Sequence, residues 1–391
     1  MENFYAAAKA LAPYTVQLRR DFHAHPEIGF QEVRTAGVVA RELTGLGLEV
    51  MTGVAKTGVV AILDGGKSGA TILARFDMDA LPIVEQTGAD YASKNPGIMH
   101  ACGHDAHVAI GLTVAKILTE NRERLHGKVK FIFQPAEEGL GGAKAMISAG
   151  ILNDPQPVAS LGLHVWSEKP VGWIGIPAGP MMAGNDEFVI RLTGKGGHGA
   201  MPHQAIDSVL AGSNIVVALQ QIVSRNVSPL ESAVVSVTQF QAGEAFNIIS
   251  QTAELKGTIR TFSAETRKIV HERLTTIVHG CAGAYGCAAE IEIKQVTPAL
   301  INDNLISDVV ADAISSALTD SHLDRHYQTS GSEDMAYIME KIPGCFFFVG
   351  ASGKYPHHHP KFDISEDALV VASTAMASAI SKLLSLNPGS K

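Results

Sequence analysis

The sequence predicts an α/β fold in which a central, mostly parallel sheet is interrupted by an inserted ferredoxin-like unit. Two observations carry this. In the first 184 residues, and again after residue 295, short continuous apolar runs bounded by turn residues alternate with helical segments. That is the pattern of buried parallel strands joined by helices. Between these stretches, residues 185–295 read as β-α-β-β-α-β, a four-stranded sheet that buries its own core under two helices. A chain of 391 residues is also too long for one ordinary core. Two domains are expected, 1–184 plus 296–391 and 185–295.

The elements follow in order. Residues 5–22 and 31–46 read as helices, the second closing near Gly45 and Gly47. The runs Gly58–Leu63, Thr71–Phe76, Val129–Phe133 and Leu161–Val165 read as buried strands, with helices at 104–122 and 142–149. In the insertion, strands are expected at Glu187–Thr193, Val234–Phe240, Ala253–Thr261 and Ala289–Gln295. Helices are expected at 205–225 and from Ser263 or Thr266 to 284. Helices at 304–319 and 366–386, with the strand Cys345–Val349 between them, return the chain to its first domain.

Composition narrows the function classes. Hydrophobic residues make up 46% and charged residues 18%, as in compact soluble proteins. The net charge of −8 argues against a nucleic-acid binder, which needs a basic face to meet phosphates. The N-terminus does not read as a signal peptide, because Glu2 stands where a basic segment belongs and Lys9 breaks the apolar stretch. No segment offers the ~18 continuous apolar residues of a membrane span. A cytoplasmic protein with no membrane partner is expected. Cys102, Cys281, Cys287 and Cys345 lack close repeated spacing and read as core residues or ligands rather than disulfides.

Five clusters carry possible chemistry. His100-Ala-Cys102-Gly-His104-Asp105-Ala-His107 gathers a thiol, three imidazoles and a carboxylate just before a helix. Thiolate and imidazole are good ligands for zinc and similar ions, and a thiol at a helix N-terminus is expected to have a lowered pKa. Glu137 and Glu138 follow a buried strand, where one carboxylate can ligate an ion and the other accept a proton. His164 ends the next apolar run, and His357-His358-His359 follows the last strand. Asp77 and Asp79 would lie on one side of their strand. Each cluster has an ordinary explanation as capping, surface or core. Their joint placement past strand ends does not, because sites in open α/β sheets collect at that edge. Residue types alone do not choose among the three histidines or divide the work between Glu137 and Glu138.

The motifs Asp77-Met-Asp-Ala-Leu-Pro82, Met99-His-Ala-Cys-Gly-His-Asp105, Gln134-Pro-Ala-Glu-Glu-Gly139, Gly194-Lys-Gly-Gly-His-Gly199 and Gly331-Ser-Glu-Asp334 make a specific set. With Arg19–Gly29 and His358–Asp363, the chain resembles the M20 metallopeptidase family, subfamily D, the hippurate hydrolase and N-acyl-amino-acid amidohydrolase group. The resemblance implies Cys102, His104, Glu138, His164 and His358 as ligands of two divalent ions per subunit, whether zinc, manganese, cobalt or nickel. It implies Glu137 as general base and Asp79 as a carboxylate that orients ligands from behind. The insertion would be a lid and dimerisation domain of a homodimer or homotetramer. In it, His198 would stabilise the oxyanion, in trans or by lid closure, and Asn247 and Arg260 would hold the substrate carboxylate. One departure is Ser250, where the family usually has proline. The implied activity is hydrolysis of N-acyl amino acids, hippurate-like or N-acetylated. The nearest rival is a dinuclear carboxypeptidase or aminopeptidase acting on short peptides. A non-catalytic binding protein would have lost the base or a ligand. A metal-storage protein would leave the Glu137–Glu138 pair unexplained.

Overall fold

A computed structural model describes residues 3–386; positions 1–2, with Glu2, and 387–391 lie outside the described residues. The chain divides into two compact units, Met1–Gly179 with Ile301–Tyr327 and Asp334–Lys391, and Pro180–Leu300 with Gln328–Glu333.

The first unit is built on an eight-stranded sheet. Its order is Glu49–Val54, Gly58–Asp64, Lys128–Gln134, Thr71–Asp77, Ala159–Trp166, Gly344–Gly350, Trp173–Gly175 and His322–Asp324. The four central strands, from Lys128–Gln134 to Gly344–Gly350, are mutually parallel. They are buried almost throughout, which is why they read as unbroken apolar runs. The sheet is mixed at its flanks: Glu49–Val54 and Gly58–Asp64 form an antiparallel pair that continues antiparallel onto Lys128–Gln134. Glu49–Val54 has no buried face and hence no apolar signature.

Helices close this unit. The expected helix 5–22 is two, Phe4–Ala10 and Ala12–Ala24, broken at Leu11. Pro13 lies in the first turn of the second, where its missing N–H costs nothing, whereas mid-helix it would lose a bond. Helix His104–Glu120 is buried on nearly every side. Helix Asp367–Ser385 is long and apolar enough to cross a membrane by length and composition, yet 72% of that stretch is buried. It packs against Asn304–Ala317, His104–Glu120 and Phe4–Ala10, so its apolarity serves the core.

The second unit has a four-stranded antiparallel sheet in the order Ala233–Ala242, Thr252–Thr261, Gly184–Thr193, Ala288–Thr297. Burial alternates along Gly184–Thr193 and Thr252–Thr261, so one face meets helices Ser208–Leu219 and Ala264–Ala284. The helix expected over 205–225 starts only at Ser208, because the Asp207 side chain accepts from the amides of Val209 and Leu210. It ends at Leu219, and a wider turn covers Ile222–Asn226.

Candidate metal centre

Every candidate ligand of the first unit lies at the carboxyl edge of its four parallel strands. Asp77 ends one strand, and Asp79 follows it. Glu137 and Glu138 follow Gln134, His164 lies near the end of Ala159–Trp166, and the histidine triplet follows Gly344–Gly350. Gly103 sits at φ 93, and a Cβ there would come within 2.5 Å of Val165 Cγ2. Only glycine lets Cys102 and His104 turn into the helix this close to the strand.

The donors converge. Cys102, His104 and His164 bring one donor atom each within 4.8 Å of one another. Cys102, Glu138 and His358 do the same, as do His104, Glu137 and Glu138. Cys102 Sγ is 3.3 Å from His164 Nε2, and His358 Nε2 is 3.1 Å from a Glu138 carboxylate oxygen. Of the triplet, His358 is the member that reaches this cluster. His357 donates from Nε2 to the Val165 carbonyl at 2.9 Å, and His359 stacks on Tyr355. The His358 backbone holds φ 64, and its amide is fixed to the Ala101 carbonyl at 2.8 Å.

Ring orientation is set from behind. His104 Nδ1 lies 2.9 Å from the Asp79 carbonyl, and His164 Nδ1 lies 2.7 Å from the Val165 carbonyl. A carbonyl accepts only, so each Nδ1 carries a proton, and Nε2 is left as the nitrogen that an ion would take. His104 Nε2 is buried and makes no hydrogen bond. The other two imidazoles of the Cys102 motif are engaged elsewhere, although His107 also comes close to His104 beside Asp77. His107 accepts the Val165 amide on Nε2 at 3.0 Å and donates from Nδ1 to Asp77 at 2.5 Å. His100 packs toward His23, and burial pushes it down to about 3, so it is neutral.

The support extends beyond the residues singled out from sequence. Arg75, fully buried, bonds Asp77 at 2.7 Å, Asp334 at 3.0 Å and the Gln134 carboxamide at 2.9 Å. A charged residue inside an apolar strand run was the available signal, since buried charges are paired. Asp79 orients by two routes: its Oδ2 accepts the Glu138 amide at 3.0 Å, and its Oδ1 lies 3.3 Å from His104 Nδ1.

The electrostatics ask for positive charge. Burial works to lower His104, but Asp77, Asp79 and Glu138 outweigh it and push it up to about 10. For Cys102 the expectation of a lowered pKa is overturned. Burial, then Glu138, Glu137 and Asp77, hold the thiol well above its ordinary value, and these outweigh any gain from the helix N-terminus. Divalent ions would replace those protons. A thiol, three imidazoles and carboxylates, with an unbonded buried His104 Nε2, fit such ions.

The second unit holds the remaining candidates. His198 and Ile248 pair in a short ribbon, Gly197–His198 with Ile248–Ile249, which brings His198 beside Asn247. His198 Nδ1 accepts the Ala200 amide at 3.1 Å, which leaves Nε2–H exposed as a donor. Both residues line an open groove of about 1130 Å³ with Thr193, Gln241, Thr252 and Glu254. Arg260 is not there. Its Nη1 donates to Asn185, Thr258 and the Ile259 carbonyl, and it pairs with no carboxylate among the described residues. Thr252 pairs with Thr193 at one end of the sheet and Arg260 with Asn185 at the other. Eight residues of strand separate them by roughly 26 Å. The expectation that Asn247 and Arg260 hold one carboxylate therefore fails within a single chain.

A carboxylate beside two ligand groups that share a thiol, at the carboxyl edge of a parallel sheet, defines a metal-dependent hydrolase. Residues 73–382 match peptidase family M20/M25/M40. The chain is 42% identical over 372 residues to N-acetylcysteine deacetylase of Bacillus subtilis, covering 95% of this chain and 97% of that one. It is 47% identical over 285 residues to N-acyl-L-amino acid amidohydrolase of Geobacillus stearothermophilus, covering 73% and 76%. Among solved structures, a Bacillus subtilis dinuclear metal binding peptidase from the M20 family superposes with a TM-score of 0.87 at 39% identity, covering 96% and 99%. The chain belongs to peptidase family M20/M25/M40, and within it to the amidohydrolases of subfamily D.

Proposed function

We propose that this chain hydrolyses the amide bond of N-acyl amino acids to a carboxylic acid and a free amino acid. One observation carries the reading: Glu137 stands beside two ligand groups joined through Cys102. Cys102, His104 and His164 would hold one divalent ion, and Cys102, Glu138 and His358 the other, whether zinc, manganese, cobalt or nickel. Such ions supply polarisation of the scissile carbonyl and acidification of water. Glu137 takes the proton from the attacking water and delivers it to the leaving nitrogen. His198, through its Nε2–H, stabilises the oxyanion, which for one donor is worth about 3–4 kcal/mol.

Arg260 is tethered through Nη1, so Nε and Nη2 remain to meet an α-carboxylate bidentately. Asn247 serves the same end of the substrate only if it and Arg260 come from different chains. We read the ferredoxin-like unit accordingly, as a lid and dimerisation domain of a homodimer or homotetramer, with the rest of the chain as the catalytic domain.

A dinuclear peptidase is the second reading, favoured by the description of the Bacillus subtilis structure as a peptidase. An α-carboxylate clamp suits carboxypeptidase substrates equally. The test is a panel of hippurate, N-acetyl amino acids and dipeptides, assayed after chelation and reloading with each metal. The amidohydrolase reading requires kcat/KM on N-acyl amino acids at least about tenfold above dipeptides, a difference of about 1.4 kcal/mol. The reverse order would establish the peptidase.

A further inference from the structure

We infer that Glu32 is a positioning residue for the Glu137–Glu138 pair. The inference rests on the reading of Glu137 as base and Glu138 as ligand.

Glu32 immediately precedes helix Val33–Gly45, where a polar side chain ordinarily caps its own helix. It does not do so here, because Glu27 has taken that task. The Glu27 carboxylate accepts the amides of Arg34 at 2.9 Å and Thr35 at 2.8 Å. The Glu32 side chain is fully buried and turns to a different segment. One oxygen accepts the Ala136 amide at 2.9 Å, and the other accepts the Thr57 hydroxyl at 2.5 Å.

Ala136 is the residue before Glu137, and its backbone is strained. It holds φ 57 without being glycine, and it is completely buried. Such a conformation persists only where the surroundings over-determine it. The packing is correspondingly close. A Cβ on Gly29 would come within 2.9 Å of Ala136 Cα, and one on Gly142 would overlap the Pro135 carbonyl at 1.7 Å. Gly142 closes the turn by donating to the Ala136 carbonyl at 3.0 Å. The turn after Gln134 is thus clamped at Ala136 by Glu32 and at Glu138 by Asp79. Removing Glu32 would leave a buried amide unsatisfied at the strained residue. The carboxylates of Glu137 and Glu138 would then lose their fixed aim.

The variants are Glu32→Ala and Glu32→Gln, the latter able to accept the Ala136 amide and donate to Thr57. The first measurement is amide hydrogen exchange in the metal-free protein. Glu32→Ala should speed exchange at Ala136 at least about tenfold, while Gly344–Gly350 stays protected as in the wild type. In the metal-loaded protein, the same variant should release metal to a chelator about 10–100-fold faster. It should lower kcat about tenfold or more, with KM within about twofold. Glu32→Gln should restore most of each loss. Wild-type exchange at Ala136 in a folded Glu32→Ala protein overturns the inference, and so does a Glu32→Gln protein as damaged as Glu32→Ala. If Glu32→Ala does not fold, Thr57→Val decides, with exchange at Ala136 about threefold faster expected and wild-type exchange overturning it. A Glu137→Gln enzyme with normal turnover would remove the base assignment instead, and would leave the exchange and metal-release outcomes to judge Glu32.

Discussion

The two units prepare their chemistry in opposite ways. In the first, Cys102, His104 and His164 are buried, and backbone or carboxylate partners hold the donors from behind: His104 by the Asp79 carbonyl, His164 by the Val165 carbonyl, Glu138 by Asp79 through its amide, with only His358 exposed among the donors. Nothing needs to move for those donors to converge. In the second, His198 stands exposed on a two-residue ribbon, Asn247 stands exposed just before the ribbon's other strand, and Arg260 lies at the far end of the sheet. One unit is preorganised as it folds. The other gathers His198 and Asn247 on one groove but leaves Arg260 apart from them within the unit, as expected of groups completed by assembly or closure.

The sharpest way to break this contrast is within the buried cluster. Cys102→Ala should lose bound metal and with it activity, because both ligand groups contain that thiol. Glu137→Gln should instead keep its metal and lose kcat by about 10²–10⁴. Two ions retained per subunit in the first variant, or near wild-type turnover in the second, would undo the respective assignment. His198→Ala should cost about 10²–10³ in kcat with metal content intact. If it acts across subunits, mixing it with Glu137→Gln subunits should recover measurable activity. Verified heterodimers without recovery would place His198 in its own chain's site.

The smallest effect concerns pH. Burial works to lower His23, but Asp105 and Glu85 outweigh it and push it up to about 9. A raised folded pKa adds stability below the unfolded value near 6.5 and loses it as pH rises through about 9. Unfolding free energy should therefore fall across that window, by at most roughly 3 kcal/mol. His23→Gln should flatten the dependence, and an equally steep curve in that variant would exclude His23 as its source.

How far sequence reading reached depended on whether a signal was local. The four parallel strands were plain because both their faces are buried, and the ligand residues stood out by falling just past them. The edge strand Glu49–Val54 is not legible in the sequence because an exposed strand carries no apolar pattern. The break at Leu11 depended on Pro13, a breaker inside a helix but harmless in a first turn. The Arg75–Asp334 pair joins residues 259 apart, and periodicity does not report such a distance. The separation of Asn247 from Arg260 was invisible for the converse reason. They are near in sequence, and only the pairing of Arg260 with Asn185 shows that a full strand lies between them.

The backbone of Val165 has a consequence for how this protein tolerates change. Its N–H is given to His107, and its carbonyl accepts both His164 and His357. Three imidazoles from different segments are thus registered by backbone atoms alone. The side chain at that position contributes apolar bulk, so alanine or isoleucine would leave all three bonds in place. An alanine scan would score the position as ordinary core. Proline, which lacks the N–H, would unseat His107 and with it the link to Asp77. An essential part of the centre is therefore encoded in no side chain, and substitution data read residue by residue would pass over it.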